Sequence, residues 1–150
     1  MNNIKAVIFD YGYTLHDREK NEFFHDAQEV VKYCANKYRL AIVSITYPQT
    51  MEERKKQLSE SGLDTKFEFI ELVPDKKDEA FERTVRQLNL PFNQIAIVDD
   101  RTIRGIKWGN SKGCLTIWLK KGKFAHEVPT EETGPPNYTI KELSELKGIL

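Results

Sequence analysis

Short runs of consecutive apolar residues alternate along the chain with longer segments in which apolar residues recur every three or four positions. Consecutive apolar residues are typical of strands buried on both faces, as in a parallel sheet, and the longer spacing is typical of amphipathic helices. The apolar runs predict five strands, and the first of them stops abruptly at a carboxylate, Asp10. In chain order the predicted strands are 4–9, 40–45, 67–73, 95–98 and 114–119.

The amphipathic segments predict helices that follow the strands. Residues 120–137 are rich in glycine, proline and charge and are predicted to be a loop, after which Thr139 and Glu142 form the capping box of a last helix. Glu68 and Glu71 place the third strand near the sheet edge, because charges are seldom buried on both faces. The alternation of strands and helices predicts a three-layer α/β fold with a mostly parallel, five-stranded sheet. The predicted helices are 22–38, 49–61, 78–89 and 139–149, with a short helix or turn at 104–112.

Length and charge narrow the class of protein. A chain of 150 residues has room for one ordinary domain, and we expect a single domain over residues 1–150. The 23 basic and 23 acidic residues cancel, so no overall field recruits nucleic acid or an anionic membrane. No apolar run approaches the ~18 residues of a membrane span, and the run near the N-terminus is too short for a signal peptide. The expected compartment is the cytoplasm.

Polar side chains follow three of the predicted strands. Asp10 follows the first strand, Ser44 or Thr46 ends the second, and Asp99 and Asp100 follow the fourth. In open parallel α/β sheets, ligands bind outside the carboxyl ends of the strands. Carboxylates in this position suit Mg²⁺, which binds through one or two of them together with water and substrate phosphate. The pattern indicates a magnesium and phosphate pocket in which an aspartate can attack phosphorus.

These residues also have structural interpretations. An aspartate after a strand can cap a turn, and a serine at a strand end often bonds to local backbone. Asp99 and Asp100 are adjacent carboxylates that repel each other unless a positive charge lies near them. That charge can come from a metal ion or from an ion pair with Arg101 or Arg104.

Taken in order, these residues resemble the motifs of the haloacid dehalogenase-like superfamily, which consists mostly of phosphatases and phosphotransferases with a Rossmann-like core. FDYGYTL resembles the first motif, which implies that Asp10 is the nucleophile and that Thr14 is the motif's threonine. AIVS resembles the second motif and implies that Ser44 holds a phosphate oxygen. KKDEAF resembles the third motif and offers Lys77, or else Lys76, as the phosphate-binding lysine.

The fourth motif of the superfamily is acidic and follows the fourth strand, and VDDRTIRGIKWGNSKGCLTIWL resembles it closely. The resemblance implies a Mg²⁺ site in which Asp100 is the principal ligand and Asp99 forms the paired-aspartate variant of the motif. Asp10 would contribute a further carboxylate to this site, and Gly12 would contribute its backbone carbonyl.

Two positions depart from these motifs. The second aspartate of the first motif, usually the general acid and base, is Gly12 here, and the place of a further acid in the fourth motif is Gly105. A carbonyl at Gly12 can still serve a cation, but the missing side chain removes a contribution to the rate of typically ~10²- to 10⁴-fold. His16, Asp17 and Tyr13 lie on the following loop and are candidates for a replacement acid.

The superfamily often carries a cap domain, yet here Leu15 and Ser44 are joined by one predicted helix and a short loop. The resemblance covers residues 4–119, the expected core, and leaves 120–150 as a C-terminal loop and helix. Since there is room only for a flap at 13–21, we expect no cap domain. The site is then either open to a bulky phosphorylated substrate or closed by the second subunit of a homodimer.

Two functions are compatible with these residues. The first is a Mg²⁺-dependent hydrolase, a phosphatase or phosphotransferase that forms an aspartyl-phosphate on Asp10 and favours leaving groups that need little protonation. The second is a catalytically impaired protein that binds phosphate and metal and acts in regulation. Dehalogenation or phosphonate cleavage is less favoured, because the pair of Asp99 and Asp100 favours a metal.

Overall fold

The computed structural model of the protein describes residues 3–150. Within this range the strands are β1 (Ala6–Phe9), β2 (His16–Asp17), β3 (Glu22–Phe23), β4 (Arg39–Ile45), β5 (Phe69–Val73), β6 (Ile95–Asp99), β7 (Leu115–Leu119) and β8 (Tyr138–Ile140). The α-helices are α1 (Ala27–Ala35), α2 (Met51–Ser61), α3 (Asp78–Leu88) and α4 (Lys107–Lys112). A π-helical turn, Thr102–Ile106, precedes α4, and 3₁₀ segments occupy Leu63–Lys66, Phe92–Gln94, Gly122–Phe124 and Leu143–Gly148.

Six strands form one parallel sheet in the order β5-β4-β1-β6-β7-β8. β1 lies in the interior of the sheet, with Phe9 opposite Ile42 of β4 on one side and Val98 of β6 on the other. From β1 the chain moves outward through β4 and β5, and it then crosses to the other side of β1 to form β6, β7 and β8. The direction of the connections therefore reverses between β1 and β6, which is where ligands bind in such sheets.

Helices cover both faces of the sheet, as the sequence predicts. Side chains alternate between the faces of a strand, so Phe9 packs in one core cluster with Val30 of α1, while Ile8 packs in the other. The second cluster contains Phe81 of α3 stacked on Trp108 of α4, with ring centroids 4.7 Å apart. Two apolar layers thus enclose a sheet that is buried on both faces at its centre.

The prediction of five strands in the sheet was wrong, because β8 extends the sheet by a sixth. Tyr138 of β8 lies opposite Ile117 of β7, and the side chain of Asn137 accepts a hydrogen bond of 2.8 Å from the backbone N–H of Thr116. This contact aligns the two chains at the start of the strand. Three residues are too few to give a periodic pattern, so β8 could not be separated from the segment that follows it.

The last helix was also predicted wrongly. Thr139 belongs to β8, and the helical segment that follows is the 3₁₀ helix Leu143–Gly148. Its capping box is formed by Glu142 and Glu145, three residues later than the box predicted at Thr139. The backbone groups of β8 form hydrogen bonds with β7, so they cannot also form the hydrogen bonds of the longer predicted helix.

The first helix begins at Ala27 rather than at residue 22. The preceding residues form an antiparallel hairpin of β2 and β3, in which His16 lies opposite Phe23. The hairpin and the turns around it occupy the position of the predicted flap at 13–21. The edge position predicted for the third strand is confirmed, since β5 ends the sheet. No helix between residues 3 and 150 is both long and apolar enough to span a membrane.

Candidate active site

Three aspartates converge at the carboxyl ends of β1 and β6. Asp10 directly follows β1, Asp99 is the last residue of β6, and Asp100 comes next. All three are buried, and one carboxylate oxygen from each lies within 4.8 Å of those from the other two. Since β1 and β6 are paired, their ends bring these residues together where the connections reverse.

Lys77, the residue before α3, carries the positive charge of this cluster. Its Nζ lies 3.0 Å from Oδ1 of Asp10 and 2.8 Å from Oδ2 of Asp99, and its side chain is 2% exposed. Lys76, the alternative in the sequence, is exposed, and the ion pairs with Asp10 and Asp99 are those of Lys77. Buried carboxylates need a compensating cation, and Lys77 meets two of them at once.

Among the described residues, neither Arg101 nor Arg104 forms an ion pair with Asp99 or Asp100. Nε of Arg101 forms an ion pair of 3.0 Å with Oε2 of Glu127, and its Cζ lies 3.7 Å from the centre of the Phe124 ring. Arg104 forms no ion pair with any carboxylate between residues 3 and 150, and both arginines line the cavity described below. The positive charge near Asp99 comes from Lys77, which is distant in sequence.

The charges in the cluster depend on one another. Burial opposes ionisation of Asp10, but the Lys77 ammonium and the hydrogen bonds outweigh it and hold the pKa of Asp10 below its ordinary value of 3.8. Burial also opposes the charge of Lys77, yet Asp10 and Asp99 raise the pKa of its ammonium. Burial and repulsion from the neighbouring carboxylates raise the pKa of Asp100 well above 3.8. Burial and the neighbouring Asp10 also raise the pKa of Asp99, so the surroundings favour the charged form most at Asp10.

Asp99 is engaged by donors from the protein itself. Its Oδ1 accepts a hydrogen bond of 3.0 Å from the backbone N–H of Arg101. Its Oδ2 accepts from Nζ of Lys77 at 2.8 Å and from the N–H of Gly105 at 3.0 Å. A Cβ at Gly105 would lie only 2.4 Å from that same Oδ2. The Asp99 carboxylate thus fills the space of the acid that is missing at Gly105.

Gly105→Ala is expected to destabilise the fold by about 1–3 kcal/mol, since the added methyl must displace the Asp99 carboxylate from its hydrogen bonds. Chemical denaturation measures the free energy of unfolding. The matched control is Gly148→Ala, because a Cβ there meets nothing within 4 Å. Equal stability of the two variants would contradict the close fit of Asp99 against Gly105.

Thr14 and Asp100 complete the buried cluster. Oγ1 of Thr14 lies 3.2 Å from Oδ2 of Asp10 and 3.4 Å from Oδ1 of Asp100, and its single proton can go to either. Nε1 of Trp118 donates a hydrogen bond of 2.9 Å to the backbone oxygen of Asp100. Oδ2 of Asp100 is buried and has no hydrogen-bond partner. A buried carboxylate oxygen that lacks a donor, beside other carboxylates, fits a hard cation such as Mg²⁺.

Ser44 is buried at the end of β4 and is not among the described residues that line the cavity over the aspartates. Its Oγ accepts a hydrogen bond of 3.0 Å from Nη1 of Arg54 in α2. Arg54 is fully buried, bonds to Oε1 of Gln49 at 2.6 Å and lies 4.3 Å from the centre of the Tyr11 ring. Burial and repulsion from Arg18 lower the pKa of Arg54 to about 10, so its guanidinium stays charged at neutral pH.

A cavity of about 640 Å³ opens over the cluster. Asp10, Gly12 and Asp100 line it, so three of the residues predicted to face the metal and phosphate share one space. The other three, Ser44, Lys77 and Asp99, are not among its described lining residues. Sequence reasoning missed most of the residues around them. The other charged and aromatic residues that line the cavity are Tyr13, Arg18, Tyr47, Asp75, Arg101, Arg104, Lys123 and Phe124.

The three candidates for a replacement acid lie in different surroundings. His16 is buried and stacks on Tyr11, with ring centroids 5.3 Å apart, and burial together with the nearby arginines lowers its pKa to about 4. Asp17 accepts the backbone N–H of Glu19 at 3.0 Å and stabilises the hairpin turn. Tyr13 lines the cavity, and its hydroxyl donates to Glu19 at 3.0 Å. Of the three, Tyr13 alone reaches the cavity.

A parallel Rossmann-like sheet, with an aspartate after its first strand and an acidic pair at the end of the strand beside it, is a haloacid dehalogenase-like arrangement. The chain belongs to the haloacid dehalogenase-like hydrolase family, whose sequence model matches residues 1–119. No match was found among curated proteins.

Solved structures with similar folds come from several organisms. A protein assigned to the haloacid dehalogenase (HAD) hydrolases from Bacillus subtilis, solved bound to magnesium, shares 15% identity, with 99% of each chain covered and a TM-score of 0.82. A haloacid dehalogenase-like family hydrolase from Xanthomonas campestris shares 13%, covering 99% of this chain and 95% of that one, with a TM-score of 0.79. A HAD phosphatase from Thermococcus onnurineus shares 15%, with 97% of each chain covered and a TM-score of 0.76. At these identities the likeness shows the fold.

Proposed function

We propose that the protein is a Mg²⁺-dependent phosphatase or phosphotransferase with Asp10 as its nucleophile. The main support is the ionised carboxylate of Asp10, held 3.0 Å from Nζ of Lys77 and facing a cavity at the switch point of the sheet. A carboxylate in such a site can attack phosphorus and form an aspartyl-phosphate. Membership of a hydrolase family with phosphatases among its structural neighbours is consistent with this proposal.

In the first step, a carboxylate oxygen of Asp10 bonds to phosphorus while the bond from phosphorus to the leaving oxygen breaks. The electron pair of that bond goes to the leaving oxygen, which takes a proton from solvent if it needs one. In the second step, the oxygen of water bonds to phosphorus while the bond from phosphorus to the Asp10 oxygen breaks. The electron pair of that bond returns to the Asp10 carboxylate, a proton of the water passes to solvent, and inorganic phosphate is released. An acceptor hydroxyl in place of water would make the reaction a phosphotransfer. Lys77 stays beside the charge as it moves from Asp10 to the phosphoryl oxygens.

The residues that would hold Mg²⁺ are Asp10 and Asp100 through their carboxylates and Gly12 through its backbone carbonyl. When bound, Mg²⁺ neutralises and orients the phosphoryl group. Asp99 was predicted as a further ligand, but its oxygens already accept three hydrogen bonds, so we assign it to the positioning of Lys77. The oxygen of Asp100 that lacks a donor is the strongest candidate ligand.

Millimolar Mg²⁺ is expected to raise the melting temperature, because a ligand of the native state stabilises it. At 100 times its Kd the gain is about 2.7 kcal/mol, or about 5–10 °C for a domain of this size. Asp100→Asn should melt higher than wild type without metal, since repulsion within the cluster is relieved, and should gain less from Mg²⁺. Thermal melts with Mg²⁺ and with EDTA test this. An equal Mg²⁺ shift in both proteins would exclude Asp100 as a ligand.

The substrate class follows from the missing acid at Gly12. Since no acidic side chain occupies that position, we propose that the leaving groups need little protonation, as in acyl or aryl phosphates. Between Leu15 and α1 the chain forms only the β2–β3 hairpin, which supports a site without a cap domain. Such a site would admit a bulky phosphorylated substrate or be closed by a second subunit of a homodimer.

The alternative is a protein that binds phosphate and metal with little turnover and acts in regulation. Two observations favour it: the acid is absent at Gly12, and the Ser44 hydroxyl is engaged by Arg54. A panel of acyl and aryl phosphates with Mg²⁺ separates the two functions. Turnover that depends on Asp10 supports the enzyme, and binding without turnover supports the regulatory protein.

A further inference from the structure

Arg18, at the turn of the hairpin, lies over Gly12. A Cβ at Gly12 would be 3.0 Å from Cδ of Arg18 and 3.9 Å from its Nη1. Gly12 is not among the described glycines with positive φ, so its backbone conformation does not require glycine. A side chain at Gly12 would require the Arg18 side chain to shift by a few tenths of an ångström. The cationic side chain of Arg18 therefore occupies the space beside Gly12.

The charge of Arg18 is not neutralised within the described part of the chain. Asp17, its neighbour, accepts the backbone N–H of Glu19, and the Glu19 carboxylate accepts the hydroxyl of Tyr13. Neither carboxylate forms an ion pair with Arg18 within residues 3–150. Arg18 is half-buried and lines the cavity that contains Asp10.

A second arginine with the same property lines this cavity. Arg104 has no ion pair among the described residues, whereas Arg101 is paired with Glu127. Lys77 is already shared between two buried carboxylates. Two arginines without an ion pair, Arg18 and Arg104, therefore line the cavity, and Lys77 is not among the described residues that line it. Guanidinium groups bind carboxylate and phosphate by donating paired hydrogen bonds. They do not release a proton at neutral pH, so Arg18 cannot replace the missing general acid.

We propose that Arg18, together with Arg104, binds a second anionic group of the substrate. The substrate is then a phosphorylated compound that also carries a carboxylate or a second phosphate. This inference rests on the proposed function, because the first anionic group is the phosphoryl group that meets Asp10. In this proposal the β2–β3 hairpin selects the substrate through Arg18, and Gly12 leaves room for the Arg18 side chain.

Non-hydrolysable ligands test the anion site without requiring turnover. The ligands are 3- and 4-carboxybenzylphosphonate, their neutral carbamoyl analogues, and 4-phosphonobenzylphosphonate, titrated calorimetrically in the presence of Mg²⁺. We expect at least one carboxylated ligand to bind wild type about tenfold more tightly than its carbamoyl analogue. The reason is that one charge-assisted hydrogen-bonded pair contributes a difference of about this size to Kd. In Arg18→Gln this ratio should fall towards one. In Lys20→Gln, which removes an exposed charge from the same turn outside the cavity lining, the ratio should persist.

The outcomes separate this proposal from the proposed function. A ratio near one in wild type, or a ratio that survives in Arg18→Gln, overturns the second anion site even if aryl phosphates are hydrolysed. A retained ratio without turnover of any acyl or aryl phosphate supports the anion site and refutes the catalytic proposal. Tighter binding of the bisphosphonate than of the carboxylates would identify the second group as phosphate. Failure of every phosphonate to bind contradicts both proposals.

Discussion

Asp10→Asn is expected to reduce turnover of acyl and aryl phosphates by at least about 10³-fold, because the amide cannot form the covalent phosphoryl intermediate. The measurement is release of inorganic phosphate from acetyl phosphate and p-nitrophenyl phosphate in Mg²⁺. The fold should survive, since Thr14 can still hydrogen-bond to the amide oxygen and Lys77 keeps its contact with Asp99. The loss should therefore appear in kcat rather than in the melting temperature.

The matched control for this variant is Asp75→Asn. Asp75 lines the same cavity but is exposed, so the change removes one negative charge without touching the buried cluster. A loss of activity in Asp10→Asn with near-wild-type activity in Asp75→Asn supports Asp10 as nucleophile. Activity that persists in Asp10→Asn would overturn that assignment, and inactivity of wild type would favour the regulatory protein.

Lys77→Met is expected to destabilise the protein by about 3–5 kcal/mol at neutral pH, because it leaves buried carboxylates without their cation. Denaturant melts of Lys77→Met and of the neighbouring Lys76→Met measure the effect. Lys76 is exposed, so its replacement should change the free energy of unfolding by less than about 0.5 kcal/mol. Equal effects in the two variants would contradict the buried role of Lys77.

The pH dependence of this loss has a definite sign. The Asp10 pKa is lowered in the folded protein, so its contribution to stability is present above 3.8 and disappears as the pH falls through the lower folded value. In Lys77→Met the carboxylates can be relieved by protonation, so the deficit relative to wild type should shrink as the pH falls from 7 towards 4. Mg²⁺ supplies positive charge to the same cluster, and it should therefore stabilise Lys77→Met more than wild type. A deficit that grows on acidification would contradict this electrostatic origin.

The central part of the site could be predicted because topology alone brings its residues together. Asp10, Asp99 and Asp100 stand at the ends of strands that a parallel sheet places side by side, and the order of the motifs offered Lys77, with Lys76 as the alternative. In the structure the three aspartates lie close together, and Lys77 contacts Asp10 and Asp99. Contacts at the ends of neighbouring strands follow from the strand order of a regular fold, so they can be inferred once the fold class is known.

The arginines could not be predicted in the same way. Arg54 lies in α2, where most residues are polar. It precedes Leu58, the apolar residue of the buried face, by four positions. Its burial follows from the side chains of Ser44 and Tyr11, which lie on other elements. Arg18 lies in a turn whose path depends on the short β2–β3 hairpin. Side-chain directions in turns and against neighbouring elements depend on tertiary packing, which periodicity does not report.

At Gly12 and Gly105, too, the sequence predicts only part of the site. The sequence reveals that Gly12 and Gly105 lack the acids of the related motifs, but it does not reveal what occupies the space. Asp99 fills the place beside Gly105, and Arg18 fills the place beside Gly12. One vacancy is thus taken by an anion and the other by a cation, a difference of sign that only the folded chain displays.

The two outer strands of the sheet also limit how copies of the protein can associate. β5 carries Glu71, which pairs with Arg83, and β8 is three residues long with two of them exposed. Exposed strand edges can recruit strands from other chains and lead to fibrous aggregation, and charge and short length both oppose this. Neither border of the sheet therefore offers a long apolar template, so a homodimer would have to form through helices or loops rather than through a continuous sheet.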